Sequence, residues 1–231
     1  MTMNRLLTMR NLSCTQKYFL CSIDDKGNIP SFEFTHITAC LIASGIMELY
    51  DCGYVEFDNE NKLLIFAPLD KDLLYLKPLY DIILSHKKNM TVKEIAEIYL
   101  WGFNNKSLEK FLMSLGSSLV LISSTVERYS NDLFGSKKKY IPQPEDVTSI
   151  IENIRVEVFE RGTMNKETVR LVALLDKSNI IKRYFSKTDT QSLKKHLRAI
   201  CDNKTHSVLK EILDFTDKIL AAVIISTMMP T

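Results

Sequence analysis

The stretch Thr35–Tyr50 (THITACLIASGIMELY) is apolar on nearly every side, with small residues between the large ones. A helix with this pattern has no polar face to turn toward solvent, so other elements must surround it. The chain carries only 7 glycines and 6 prolines in 231 residues, and no Gly/Ser-rich linker divides it. The sequence therefore predicts a single domain over residues 1–231, a mainly α-helical bundle around a central apolar helix.

Apolar stretches compatible with helices recur along the rest of the chain, and local signals mark some of their starts. Thr91 and Glu94 have the spacing of a capping box, and Pro144 stands before two acids in a predicted first turn. Pro78 is expected near the first turn of its helix or at a kink. The predicted helices cover Leu6–Ile23, Asp72–His86, Thr91–Trp101, Ser107–Leu115, Pro144–Arg161, Asn165–Asp176, Asn179–Phe185, Asp189–Asp202 and Thr205–Met228.

Two short β-hairpins are predicted beside the helices. Tyr54–Asp58 alternates apolar and polar residues, and a turn separates it from Lys62–Phe66, which indicates a first hairpin. Leu119–Ile122 and Lys138–Ile141 are apolar or β-prone and suit the arms of a second one. The tip of this second hairpin is expected near Leu133-Phe134.

Several classes of function lack their sequence signals. The five cysteines are odd in number and form no CxxC pair, which favours free thiols in a cytosolic protein over a metal site. No GxSxG, GxxxxGK[ST] or GxGxxG motif occurs, so we expect no enzyme activity and no cofactor. The longest apolar stretch, Ile219–Met229, is short for a membrane-spanning helix, so the chain is expected to be soluble or peripheral to a membrane.

The segment Ser130–Asp146 places large apolar residues beside a cluster of positive charge. Leu133 and Phe134 come just before a glycine, and Lys137, Lys138 and Lys139 follow. One interpretation is a wedge that enters a bilayer while the lysines contact anionic headgroups. The alternative is that Leu133-Phe134 packs against the core and the lysines form a solvated arm.

Three groups of residues follow one another in a characteristic order. Leu7-Thr8 opens a helix that ends before an Asp-Lys-Gly turn, and Ile46–Leu49 runs through Gly53 into the first hairpin. The lysine-rich arm Lys137–Pro142 and an acidic helix start then precede Thr168–Leu175. With these groups in this order, the chain resembles the Golgi phosphoprotein 3 family of peripheral membrane proteins over nearly its whole length. This family has bacterial and eukaryotic members.

The resemblance implies a helical body with a protruding hairpin, and binding to membranes rich in phosphatidylinositol 4-phosphate. In eukaryotic members it also implies capture of the cytosolic tails of Golgi glycosyltransferases. The hairpin tip would insert Leu133 and Phe134, and Lys137, Lys138 and Lys139 would contact the anionic surface. The implied location is cytoplasmic and peripheral to a membrane, at the cytosolic face of the Golgi if the host is eukaryotic.

The resemblance also implies a headgroup pocket. In the family, this pocket has a tryptophan before the central helix and an arginine within it. The resemblance places the tryptophan position between Phe32 and Phe34 of this chain, and the arginine position at about Ile42. Two later basic positions fall near Gly102 and Asn105. The residues expected to bind the headgroup in this chain are Phe34, His36, Lys106 and Lys110.

Two other classes of function remain open. A soluble protein-interaction or regulatory module could keep this scaffold without binding phosphoinositides, and the uncharged Ile42 favours it. A nucleic-acid binder using Lys137–Lys139 and Lys194–Arg198 is disfavoured by a net charge of only +2. The expected partners are therefore anionic phospholipid and protein tails and not nucleic acid, and a homo-oligomer would raise the avidity for a membrane.

Overall fold

The helix α2 (Phe34–Asp51) forms the centre of the fold in the computed structural model, and every residue from Ile37 to Leu49 is buried. It packs against α1 (Cys14–Ser22), α3 (Lys77–Ser85) and other helices. Gly45 allows the close approach of α3, because a Cβ at this position would lie 2.7 Å from Leu79 Cδ2. The predicted central apolar helix is confirmed.

The structure describes residues 11–60, 62–85, 89–101, 106–132 and 135–202, together with 214, 217, 218, 220 and 221. Eight α-helices and two small antiparallel sheets in these residues confirm the mainly α fold class. The remaining helices are α4 (Val92–Trp101), α5 (Lys106–Leu121), α6 (Pro144–Arg155), α7 (Lys166–Lys177) and α8 (Lys187–Asp202). The strands are β1 (Val55–Phe57), β2 (Lys62–Ile65), β3 (Met90–Thr91), β4 (Thr125–Asp132) and β5 (Gly135–Pro142).

The first sheet has the order β1-β2-β3, with Val55 opposite Ile65 and Leu63 opposite Met90. It contains the first predicted hairpin and a third strand that the sequence does not indicate. The sheet lies at the carboxyl end of α2, because the Tyr54 amide donates to the Leu49 carbonyl at 2.9 Å.

Polar side chains set the starts of several helices. Ser13 and Gln16 form a capping box at the start of α1, and the Thr91 hydroxyl and Glu94 carboxylate form the predicted one before α4. The Asn165 side chain accepts a hydrogen bond from the Thr168 amide at 2.9 Å and caps α7. Pro78 occupies the first turn of α3, where its missing amide proton costs no helical hydrogen bond.

Three predicted boundaries are wrong. Leu119 belongs to α5 and not to a strand, because it completes a buried stripe with Leu115 at helical spacing; β4 begins only at Thr125. The predicted helix Asn179–Phe185 is a single 3₁₀ turn over Ile180–Arg183. The start of the helix expected over Leu6–Ile23 lies partly outside the described residues, and within them the helix begins at Cys14, directly after its Ser13 cap.

Two other predicted helices contain a change of helix type. The helix expected over Asp72–His86 opens with a 3₁₀ segment, Lys71–Leu76, before α3. The one that starts at Pro144 ends in a π-helical turn, Val156–Glu160, after α6. The predicted helix Thr205–Met228 lies almost entirely outside the described residues.

Tyr140 fixes the hairpin β4–β5 to the helical body. Its side chain is buried against Gly116 of α5, where an added Cβ would overlap the ring, and its hydroxyl lies 2.7 Å from Ser117 Oγ. Gly27, with a φ of +73°, lies against the Tyr140 backbone on another side. The two glycines therefore provide the space in which the hairpin docks.

Replacing Gly116 with alanine is expected to lower the free energy of unfolding by about 1–3 kcal/mol, because the new methyl group overlaps the Tyr140 ring. The better helix propensity of alanine offsets about 1 kcal/mol of the clash. Urea unfolding measures the change, and Lys110→Ala, on the exposed face of the same helix, serves as the control. A Gly116→Ala variant as stable as the wild type would show that Tyr140 does not pack there.

Candidate functional site

The second hairpin extends from the body as two long antiparallel strands. Thr125 pairs with Pro142 at the base, and Asp132 pairs with Gly135 at the far end. Leu133 and Phe134 stand between the strands in sequence but lie outside the described residues, as does the side chain of Lys137. The predicted hairpin is therefore present, while the insertion of its tip stays a prediction.

A cavity of about 350 Å³ lies where the hairpin base meets the body. This volume falls in the range of small-molecule sites. Three parts of the chain form its walls: the end of α1 with the loop that leads to α2, one face of α5, and strand β5. The lining residues are Phe19, Ile23, Gly27, Ile29, Phe34, Leu108, Glu109, Leu112, Met113, Lys138, Lys139 and Tyr140.

The cavity brings together Phe34, Lys138 and Lys139, which the sequence places in separate groups. Phe34 is the first residue of α2 and is half-buried against the core. Lys138 and Lys139 approach from β5 and are also half-buried. An aromatic residue and two lysines therefore line one concave site, which suits a ligand with an anionic group on an apolar stem.

The two lysines differ in their partners. Lys138 Nζ lies 2.8 Å from Glu127 Oε2 and 5.9 Å from the centre of the Tyr129 ring. The hydrogen bond to Glu127 raises the pKa of Lys138 above its usual value, so this side chain stays charged at neutral pH. Lys139 has no ion-pair partner among the described residues, so its charge is the more available of the two.

His36, Lys106 and Lys110 do not line this cavity. His36 is exposed two residues after Phe34, and residues two apart on a helix do not face the same way. Lys106 and Lys110 lie on the exposed face of α5, away from the buried stripe that contains Leu108. The same helix contributes Glu109 to the cavity instead, which adds a negative charge.

A comparison with protein families agrees with the sequence signatures. The family model described as Golgi phosphoprotein 3 matches residues 15–216, which is most of the chain. The chain belongs to the Golgi phosphoprotein 3 family. No curated protein matches it significantly.

The resemblance implies that the arginine within the central helix of the family pattern falls at about Ile42. The Ile42 side chain is completely buried within α2, so here the position carries a core residue and no charge. Among the described residues, no helix is long and apolar enough to cross a membrane, and no three His, Cys, Asp or Glu side chains are placed to hold a metal ion.

A second cavity of about 320 Å³ opens at the other end of α2, between α1 and α7. Buried Glu48 accepts hydrogen bonds from the Thr15 amide at 3.3 Å and from the Tyr75 hydroxyl. Asp51 pairs with Arg170, and with Lys166 at 3.2 Å. These bonds join three helices, so the residues of this cavity have a structural role.

The thiols at the second cavity are not activated. Burial raises the pKa of Cys14 to about 12, and burial together with nearby carboxylates raises the pKa of Cys52. Since the thiolate is the reactive form, these raised pKa values indicate no activated nucleophile at this cavity.

Asp51→Asn is expected to lower the free energy of unfolding at pH 7 by about 2 kcal/mol, because it leaves the buried Arg170 without a carboxylate partner. Burial acts to raise the pKa of Asp51, but the hydrogen bond and charge of Arg170, with Lys166, outweigh it and hold the pKa below its usual value. The stabilisation is therefore complete above the unfolded-state pKa of about 4 and is lost as the pH falls through the lower folded-state value.

Denaturant unfolding of wild type and Asp51→Asn between pH 2 and pH 7 measures this effect. The difference between them should shrink in acid, as the wild-type carboxylate gains a proton. Asp81→Asn, which removes an exposed pair with Lys77, should change the free energy by under about 1 kcal/mol. A difference for Asp51→Asn that stays constant across this range would contradict the assignment.

Proposed function

We propose that the chain is a peripheral membrane protein that binds anionic lipid, with the cavity between Phe34 and the β5 lysines as its headgroup site. The observation that carries the proposal is the convergence of Phe34, Lys138 and Lys139 on one cavity at the base of a protruding hairpin. Phosphatidylinositol 4-phosphate is the proposed lipid, on the grounds of family membership. The proposal assigns binding and no catalysis, and places the chain at a cytoplasmic membrane face.

The proposed interaction is weak and reversible. Each lysine near an anionic surface contributes about 1 kcal/mol, and insertion of an apolar tip formed by Leu133 and Phe134 adds a few kcal/mol at most. Association costs offset much of this sum. A homo-oligomer with several hairpins on one face would strengthen binding through avidity, and bound protein tails are a further proposed partner.

Charge reversal at Lys139 tests the site. We expect Lys139→Glu to weaken binding to phosphatidylcholine vesicles that contain phosphatidylinositol 4-phosphate by about 30-fold, because one attraction of about 1 kcal/mol becomes a repulsion. Vesicle flotation over a range of lipid concentrations gives the partition coefficients. Vesicles of phosphatidylcholine alone should float neither protein.

Lys62→Glu is the matched control, because it changes the net charge equally. Lys62 lies in the three-stranded sheet at the carboxyl end of α2, whereas Phe34 starts the helix. An 18-residue helix is about 27 Å long, so the two positions are well separated. Equal losses for both variants would assign the binding to overall charge and count against the cavity.

A second candidate function is a protein-interaction module that has kept the scaffold and lost phosphoinositide binding. Two observations favour it: Ile42 is buried, and Glu109 places a negative charge in the cavity. Folded wild-type protein that stays with the unbound fraction at every lipid composition would support this candidate over the first.

A further inference from the structure

Phe32 is the most exposed large apolar side chain in the part of the chain that the structure describes. Its relative exposure is 98%, so the ring has essentially no contact with the rest of the protein. Isolated exposed apolar residues are common, so exposure alone assigns no role to this ring. The turn that carries the ring and the charged residues beside it bear on its role.

Phe32 lies in a hydrogen-bonded turn over Pro30, Ser31, Phe32 and Glu33. The Glu33 amide donates to the Pro30 carbonyl at 3.2 Å, which closes the turn with Phe32 as its third residue. Pro30 restricts the backbone at the start of the turn. The backbone that carries Phe32 is thus fixed by local structure, with the side chain exposed.

Arg183 fixes the other side of the turn to the body. Its guanidinium lies 3.4 Å from Glu33 Oε2 and also donates to the Ser22 carbonyl at 3.3 Å. The ion pair also neutralises the acidic residue next to Phe32. A turn whose backbone is already fixed loses little backbone entropy when its exposed side chain binds, which favours binding.

The turn borders the proposed headgroup cavity. Ile29, just before the turn, and Phe34, just after it, both line the cavity together with Lys138 and Lys139 of the hairpin. Gly27, earlier in the same loop, lies against the Tyr140 backbone. The Phe32 ring therefore stands at one edge of the cavity, with the base of the hairpin at another.

We infer that Phe32 forms a second point of membrane insertion, apart from the hairpin tip, and enters the interfacial region of an anionic bilayer beside the cavity; this rests on the proposed lipid binding. The occupant follows from the combination of an exposed apolar ring with Lys138 and Lys139, which line the adjoining cavity, because apolar residues beside lysines suit an anionic lipid surface. Contact at Phe32 and at the hairpin fixes the protein at two points and directs the cavity at the headgroups.

Phe66 is a matched control. It is also a highly exposed phenylalanine, at 70%, but its amide is bonded to Tyr54, and Tyr54 is bonded to Leu49 near the carboxyl end of α2. Leu49 lies 15 residues after Phe34 in one helix, which corresponds to about 22 Å.

Flotation with phosphatidylcholine vesicles that contain phosphatidylserine and phosphatidylinositol 4-phosphate tests the inference. We expect Phe32→Ser to lower the partition coefficient about tenfold and Phe66→Ser to leave it unchanged. If wild type floats and Phe32→Ser floats equally well, the insertion of Phe32 is overturned while lipid binding stands. If wild type itself does not float, lipid binding fails and the inference fails with it.

A fluorescent reporter separates insertion from an effect on folding. The single tryptophan, Trp101, is replaced by phenylalanine, and Phe32→Trp or Phe66→Trp is then introduced. On vesicles with brominated acyl chains, the tryptophan at 32 should shift to the blue and be quenched, and the tryptophan at 66 should do neither. A vesicle-bound protein with an unquenched tryptophan at 32 would assign this position to a protein contact or to none, and would overturn the inference.

Discussion

The packing of Tyr140 between two glycines is the contact that builds the rest of the site. Gly116 leaves room for its ring and Gly27 leaves room for its backbone, so α5 and the loop before α2 both meet the hairpin at one residue. The hydroxyl contact with Ser117 and the bond from Thr125 Oγ1 to the Gly116 carbonyl, at 3.1 Å, hold the same junction. Without this junction, β5 would not place Lys138 and Lys139 beside the helices that form the cavity.

Charge at the cavity is balanced and not uniformly positive. Glu127 holds Lys138 in place along the hairpin, and Glu109 faces the same space from α5. Lys139 supplies the charge with no ion-pair partner among the described residues. A site of this kind suits a reversible contact with an anionic surface, in which several weak attractions act together and none is large.

The two ends of α2 have different tasks. At the amino end, Phe34 faces a half-open cavity beside the hairpin. At the carboxyl end, Glu48 and Asp51 are bonded to neighbouring helices, and Arg170 is buried among them. The apolar middle of the helix keeps these two ends apart, so changes at the cavity need not disturb the ion pairs that stabilise the bundle.

Much of the fold can be predicted from the sequence, because caps and apolar periodicity are local signals. Asn165, Thr91 and the apolar run of α2 all have the expected structure. The sequence does not indicate β4, because TVERYSND has few apolar residues and its structure depends on pairing with β5. Strands with little periodicity carry no sufficient local signal.

The candidate site is only partly predictable. The sequence indicates Phe34 and the β5 lysines separately, and only the docking of the hairpin shows that they share a cavity. Lys106 and Lys110 lie close in sequence to the aligned basic positions, but the register of α5 turns them to solvent. The exposure of Phe32 depends on its turn and on Arg183, which is remote in sequence.

Hydrogen–deuterium exchange of the protein on anionic vesicles would show which surface faces the lipid. We predict that lipid slows exchange in the loop over residues 27–34 and in β5, and leaves the sheet of β1, β2 and β3 unchanged. Slower exchange confined to that sheet or to the cavity around Asp51, on protein that is demonstrably bound to vesicles, would contradict the proposed orientation.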